Sequence, residues 1–230
     1  MAEAGAIPER IESPLDGFQF EAWRQAPADA RRGGLIVVQE IFGVTDGILE
    51  IAAGYAADGY ETLSPALFDR RAPGFRAGYD AAGVAEGRAL SEATPWDEVA
   101  ADLAACVAAL QAPVFIVGYC WGGTAAWLAA CRVPGLAAAS GYYGRRIPEL
   151  LTERPLCPTI LHFGREDASI PAETVAAIAA AHEDVPIHLY DAGHGFASDR
   201  RGDYRPDAAR LARLRTLQLF ALNSGGRAEM

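Results

Sequence analysis

Ten residues near the middle of the chain, Val114-Phe115-Ile116-Val117-Gly118-Tyr119-Cys120-Trp121-Gly122-Gly123, constrain the fold more than any other stretch. The apolar, partly β-branched run suits a strand buried on both faces. It gives way at Gly-x-Cys-x-Gly to an Ala-rich helical segment, Thr124 to Cys131. A strand, sharp turn and helix of this kind holds its middle residue on a strained bend. Small residues must stand two before and two after it, so that neighbouring backbone can pass. Gly118 and Gly122 meet that need. The helix then aims its N-terminal N–H groups at the bend, which favours a Cys120 thiolate and negative charge on the oxygen it attacks.

Two further segments supply partners for a nucleophile. Asp167 lies in Gly164-Arg165-Glu166-Asp167, after the apolar strand Thr159 to Phe163, and His194 lies in Gly193-His194-Gly195-Phe196, after the strand Ile187 to Tyr190. Cys120 is assigned as nucleophile, His194 as base and then acid, and Asp167 as the group that fixes the imidazole tautomer. Glu166 competes with Asp167, and Asp191 reads as a solvated neighbour of His194. The expected oxyanion donors are the backbone N–H groups of Trp121 and of Ile41, which opens the loop after the strand Gly34 to Gln39. Glu40 closes that strand. A carboxylate forced toward an apolar site has a raised pKa and can exchange a proton with a thiol. Phe42 and Tyr142, with Tyr143 and Trp96, are candidate pocket walls. Arg76 is a candidate substrate contact within the irregular segment Ser64 to Gly78, which could form part of a substrate cap. His162, His182 and His188 read as strand or helix surface positions.

Strands are expected at Phe18 to Trp23, Gly34 to Gln39, Glu61 to Leu63, Val114 to Tyr119, Leu136 to Ser140, Thr159 to Phe163 and Ile187 to Tyr190. Helices are expected at Ile48 to Ala57, Tyr79 to Leu90, Trp96 to Leu110 (opened by Thr94 as N-cap and Pro95), Ala172 to His182 and Pro206 to Leu222. Alternation of this kind implies an α/β fold with a mainly parallel central sheet flanked by helices. At 230 residues one domain is expected, with 223–230 as a flexible tail. A net charge of −10 disfavours nucleic acid as a partner. No apolar h-region opens the chain and no long uncharged apolar run follows, so a soluble, cytoplasmic monomer without membrane partners is expected. Cys106, Cys120, Cys131 and Cys157 have no metal-binding spacing and no HExxH pair exists, so neither metal nor cofactor is expected.

Together these segments resemble the dienelactone hydrolase family of α/β-hydrolases, also called carboxymethylenebutenolidases, over most of the chain. Val38-Gln39-Glu40-Ile41-Phe42-Gly43 is similar to the family's oxyanion loop and Gly118-Tyr119-Cys120-Trp121-Gly122-Gly123 to its elbow. Gly164-Arg165-Glu166-Asp167 and His194-Gly195-Phe196 are similar to its acid and base segments. The resemblance implies an α/β-hydrolase fold and a small-molecule lactone or carboxylic ester opened through a thioester. It also implies that Glu40 holds the resting thiol and yields it when substrate binds. Members specialised for dienelactone carry an arginine four residues after the histidine, where this chain has Ser198. Arg200 and Arg201 stand close but displaced, and Arg76 could match a second carboxylate-binding arginine. The alternatives on the same scaffold are a thiol-based redox sensor and a noncatalytic binder.

Overall fold

The computed structural model describes residues 5–225. Its strands are β1 (Ile7–Glu12), β2 (Gln19–Gln25), β3 (Gly33–Val38), β4 (Tyr60–Pro65), β5 (Val114–Tyr119), β6 (Leu136–Tyr142), β7 (Thr159–Gly164) and β8 (Ile187–Tyr190). They form one eight-stranded sheet in the order β1-β2-β4-β3-β5-β6-β7-β8. Pairing is antiparallel for β1 with β2 and β2 with β4, and parallel from β4 across to β8. The helices are α1 (Asp46–Ala57), α2 (Ala81–Ala93), α3 (Trp96–Ala108), α4 (Trp121–Arg132), α5 (Ala172–Ala181) and α6 (Pro206–Leu222).

Every residue of β3 and β5 is buried, as their continuous apolar runs demand of central parallel strands. Helix α4 follows β5 directly. Its alanines at 125, 126, 129 and 130 are fully buried, and such small side chains let a helix lie close to a sheet. Three strand ends, those of β5, β7 and β8, deliver the segments that carry Cys120, Asp167 and His194 to one edge of the sheet. This is where ligands bind in open parallel sheets.

Several local expectations are corrected. Strand β1 has no counterpart among the expected strands, the first of which was Phe18 to Trp23. It forms as an edge strand, where a proline and exposed charges are tolerated. The segment Ser64 to Gly78 is not a cap over the cavity that holds Cys120, and none of its residues lines that cavity. Ala66 to Asp69 are buried, and the Asp69 carboxylate accepts from the N–H groups of Glu21 and Gly74, both at 2.9 Å. Thr94 does not cap α3. Its hydroxyl donates to the Leu90 carbonyl at 2.8 Å, closing α2, and Pro95 takes the cap position. His162 and His182 are buried, not on the surface. The described chain ends with Asn223 capping α6, so residues 226–230 of the expected tail lie outside the described residues. Among the described residues no helix is long and apolar enough to cross a membrane.

Candidate active site

The bend after β5 is as tight as its glycines suggest. A Cβ on Gly118 would stand 1.8 Å from the Gly122 carbonyl oxygen, and a Cβ on Gly122 would stand 2.4 Å from that of Gln39. Neither position admits a side chain. Between them Cys120 takes φ 58° and ψ −117°, a conformation that costs a non-glycine residue about 1–3 kcal/mol. The surrounding backbone holds the strain: Cys120 N–H donates to Tyr142 O at 3.0 Å, and Cys120 O accepts from Gly123 N–H at 2.9 Å.

Cys120 Sγ lies 3.2 Å from His194 Nε2, and His194 Nδ1 lies 2.7 Å from Asp167 Oδ2. Asp167 is buried and its other carboxylate oxygen accepts from Ser169 N–H at 2.8 Å, which fixes its plane. Burial works against charge on His194, but its contacts with Asp167 and Cys120 outweigh this and push its pKa up to about 10. Both ring nitrogens of His194 are thus engaged, Nδ1 by the Asp167 carboxylate and Nε2 by the Cys120 sulfur.

A cavity of about 80 Å³ opens over this pair, lined among others by Ile41, Trp121, Thr124 and Ser169. Both expected oxyanion residues therefore face it. Trp121 begins α4, so its N–H has no carbonyl within the helix to bond. Glu40 is buried behind Ile41, with Oε1 unpartnered. Burial raises its pKa, opposed by the charges of Arg201 and His194. The Cys120 sulfur is hydrogen-bonded to His194 and not to Glu40.

The three expected substrate contacts fall elsewhere. Tyr142 is buried, with its hydroxyl 2.8 Å from Thr216 Oγ1, and does not line the Cys120 cavity. Its neighbour Tyr143 follows the end of β6 at φ 40°. The Tyr143 ring centroid lies 5.2 Å from that of His194, and its buried hydroxyl is unpartnered. Phe42 is buried against Tyr79, and the Arg201 guanidinium lies 5.4 Å from its ring centroid, so Phe42 supports Arg201 from outside the cavity. Arg76 stacks on Trp23 and pairs with Asp46 at 3.3 Å, away from the cavity. Arg200 pairs with Glu50 at 2.6 Å. Arg201 is the arginine of this group that lines the cavity. Sequence spacing left Arg76, Arg200 and Arg201 open, because the loop after His194 folds back on itself, with Arg201 N–H bonded to Ser198 O at 3.1 Å.

The sheet order and the strand–turn–helix elbow define an α/β-hydrolase fold. The sequence profile of the dienelactone hydrolase family matches residues 20–224, and the chain belongs to that family. It is 35% identical over 219 residues to the carboxymethylenebutenolidase of a Pseudomonas species, covering 89% of this chain and 90% of that one. With the carboxymethylenebutenolidase of Pseudomonas putida it shares 32% identity over 219 residues, covering 90% and 92%. A crystal structure from Klebsiella pneumoniae, 28% identical, superposes with a TM-score of 0.81 over 94% of this chain and 99% of that one.

Proposed function

We propose that this protein opens lactones or carboxylic esters through a Cys120–His194–Asp167 triad and a thioester acyl-enzyme. The observation that carries the reading is the unbroken chain of contacts from Cys120 Sγ through His194 to Asp167 at the floor of a cavity, 3.2 Å and 2.7 Å. The Cys120 thiolate attacks the carbonyl carbon, and the carbonyl oxygen becomes an oxyanion held by the N–H groups of Ile41 and Trp121. As the oxyanion collapses, the carbon–oxygen bond to the leaving oxygen breaks, and that oxygen takes the proton from His194 Nε2. In a lactone it stays tethered to the acyl group. His194, now neutral, removes a proton from water. The hydroxide attacks the thioester, the carbon–sulfur bond breaks, and thiolate and imidazolium are restored. Arg201 offers a guanidinium to a carboxylate on the substrate.

Turnover of p-nitrophenyl acetate and of a set of enol-lactones tests this. Cys120→Ser and His194→Ala are expected to remove it. Undiminished turnover in His194→Ala ends the triad assignment.

A further inference from the structure

All 20 basic side chains of this acidic protein are arginines, and most are tied to carboxylates. Arg70 binds Asp102 at 2.9 Å and Asp16 at 2.7 Å, Arg71 binds Glu98 at 2.6 Å, and Arg132 binds Glu153 at 2.6 Å. The cavity above Cys120 departs from that rule. Arg88, Arg145, Arg146 and Arg201 all line it, and among the described residues no aspartate or glutamate does. In a chain of net charge −10, four guanidiniums around one small opening concentrate a positive field where a substrate must enter.

The four are not equivalent. Arg146 is committed to structure: its Nη1 donates to Ser91 O at 2.8 Å, its Nε and Nη2 to Glu149 at 2.7 and 2.8 Å, and its backbone N–H to Thr124 Oγ1 at 3.1 Å. These bonds strap the turn after β6 to α2. On α2, Val84, Arg88 and Ser91 recur at helical spacing and so share the face that looks into the cavity. The strap at Ser91 therefore brings Arg88 of α2 and Arg145 of the turn to the same rim. Both are exposed, and neither forms an ion pair or a side-chain hydrogen bond among the described residues. Arg201 comes from a different element, the loop that follows His194, and has no ion pair either.

We propose that Arg88 and Arg145 form a second anion subsite at the cavity mouth, and that the natural substrate is an ester or lactone carrying two carboxylates, one for Arg201 and one for this pair. The proposal rests on the hydrolase reading above and narrows its substrate class. Arg88 and Arg145 line the same opening as Cys120 and His194, so the part of a substrate that extends beyond its reacting carbonyl comes within their reach. The planar fork of arginine matches a carboxylate with two parallel N–H···O bonds, a geometry that lysine cannot offer.

The test uses γ-lactones sharing one five-membered ring and bearing no, one or two ring carboxylates, with ring opening followed by proton release at low ionic strength, where exposed charges are least screened. Wild-type kcat/KM is expected to rise along the series. In the double variant Arg88→Gln with Arg145→Gln, the preference for two carboxylates over one is expected to fall about 10- to 100-fold, mainly through KM, the scale of a lost charge-assisted pair. An equal loss of charge at remote exposed positions, Arg10→Gln with Arg154→Gln, is expected to leave the preference intact. The proposal is overturned if the double variant keeps the wild-type preference, or if the remote pair lowers it as much. Failure of the hydrolase reading shows separately, as opening of the uncharged lactone that survives Cys120→Ser.

Discussion

Two buried histidines stand near the ends of neighbouring strands and are driven in opposite directions. His162, on β7, has its Nδ1 2.9 Å from Tyr190 Oη and its Nε2 3.3 Å from Thr216 Oγ1. Thr216 also meets Ser140 Oγ at 2.9 Å and Tyr142 Oη at 2.8 Å, and Arg215 donates to Tyr190 Oη at 3.0 Å. The ring's own partners are uncharged hydroxyls. Burial, with the nearby His188 and Arg215, therefore pushes the His162 pKa well below its ordinary value. His194 is also largely buried, yet a carboxylate on one nitrogen and a thiol on the other raise it to about 10. Burial does not make a histidine reactive; the charge of its partner does. The clusters differ in satisfaction too. The bonds around Thr216 interlock, whereas Glu40 Oε1 and the Tyr143 hydroxyl near His194 are left without partners. The strained backbone of Cys120, at φ 58°, stands with those two unpartnered atoms on the His194 side of the comparison.

The strongest way to break this contrast is to remove each ring in turn. His194→Ala is expected to lower kcat/KM for a lactone about 10³-fold or more in a protein that still folds. His162→Ala is expected to do the reverse. It leaves Tyr190 and Thr216 short of a buried partner and opens a void, costing about 2–4 kcal/mol, with turnover retained in the folded protein. Equal losses of turnover in the two variants would make the hydroxyl cluster part of the machinery.

Thr216→Val sharpens the point on the structural side. Valine keeps the shape but ends the contacts with Ser140, Tyr142 and His162 at once. Each buried group left unsatisfied costs about 1–3 kcal/mol, so thermal scans are expected to show Tm lowered by several degrees, with kcat at 25 °C unchanged. An unaltered Tm would show that the cluster contributes nothing.

Much of this contrast was legible in the chain before any fold was known. The elbow announced itself because a strained turn restricts which residues can flank it, and Gly118 and Gly122 are required sterically. The parallel sheet followed from alternating strands and helices, and the segments of Asp167 and His194 fell at strand ends. What failed was anything that depends on which way a side chain leaves the backbone. Tyr142 was chosen over Tyr143 because residue type alone cannot give facing. His162 was placed on a surface although its strand is covered on both sides. Arg201 could not be told from Arg76 and Arg200 because a folded loop breaks the link between sequence offset and position. Edge strand β1 was missed because its stability comes from pairing with β2 and not from its own residues.

The Tyr142 and Tyr143 pair tests facing directly. Tyr143→Phe removes a hydroxyl with no partner in the protein, so stability is expected to hold or rise slightly, while kcat/KM falls about tenfold if the group meets the substrate or its oxyanion. Tyr142→Phe is expected to lower Tm by a few degrees and leave kcat/KM alone. Steady-state kinetics and thermal scans of the same two preparations check both, and a reversed pattern would restore Tyr142 as the substrate contact.

The smallest effect is a pH dependence, and it separates the two histidines by sign. Glu40 and His194 have folded pKa values above their ordinary ones, so each contributes stability at low pH that is lost as pH rises: above 4.5 for Glu40, and from 6.5 to about 10 for His194. His162 is depressed, so its contribution is present above 6.5 and lost as pH falls through its folded value. Glu40→Gln keeps the shape of the side chain but removes its titration. The Tm difference between Glu40→Gln and wild type is therefore expected to move in favour of the variant between pH 5 and pH 9, by about 2–4 °C for each kcal/mol recovered. The decline due to His194 persists in both proteins, and His162→Ala flattens only the acid limb. A Tm difference for Glu40→Gln that stays constant from pH 5 to pH 9 would mean that the buried carboxyl ionises as easily in the folded protein as in the unfolded chain, and that burial does not raise its pKa.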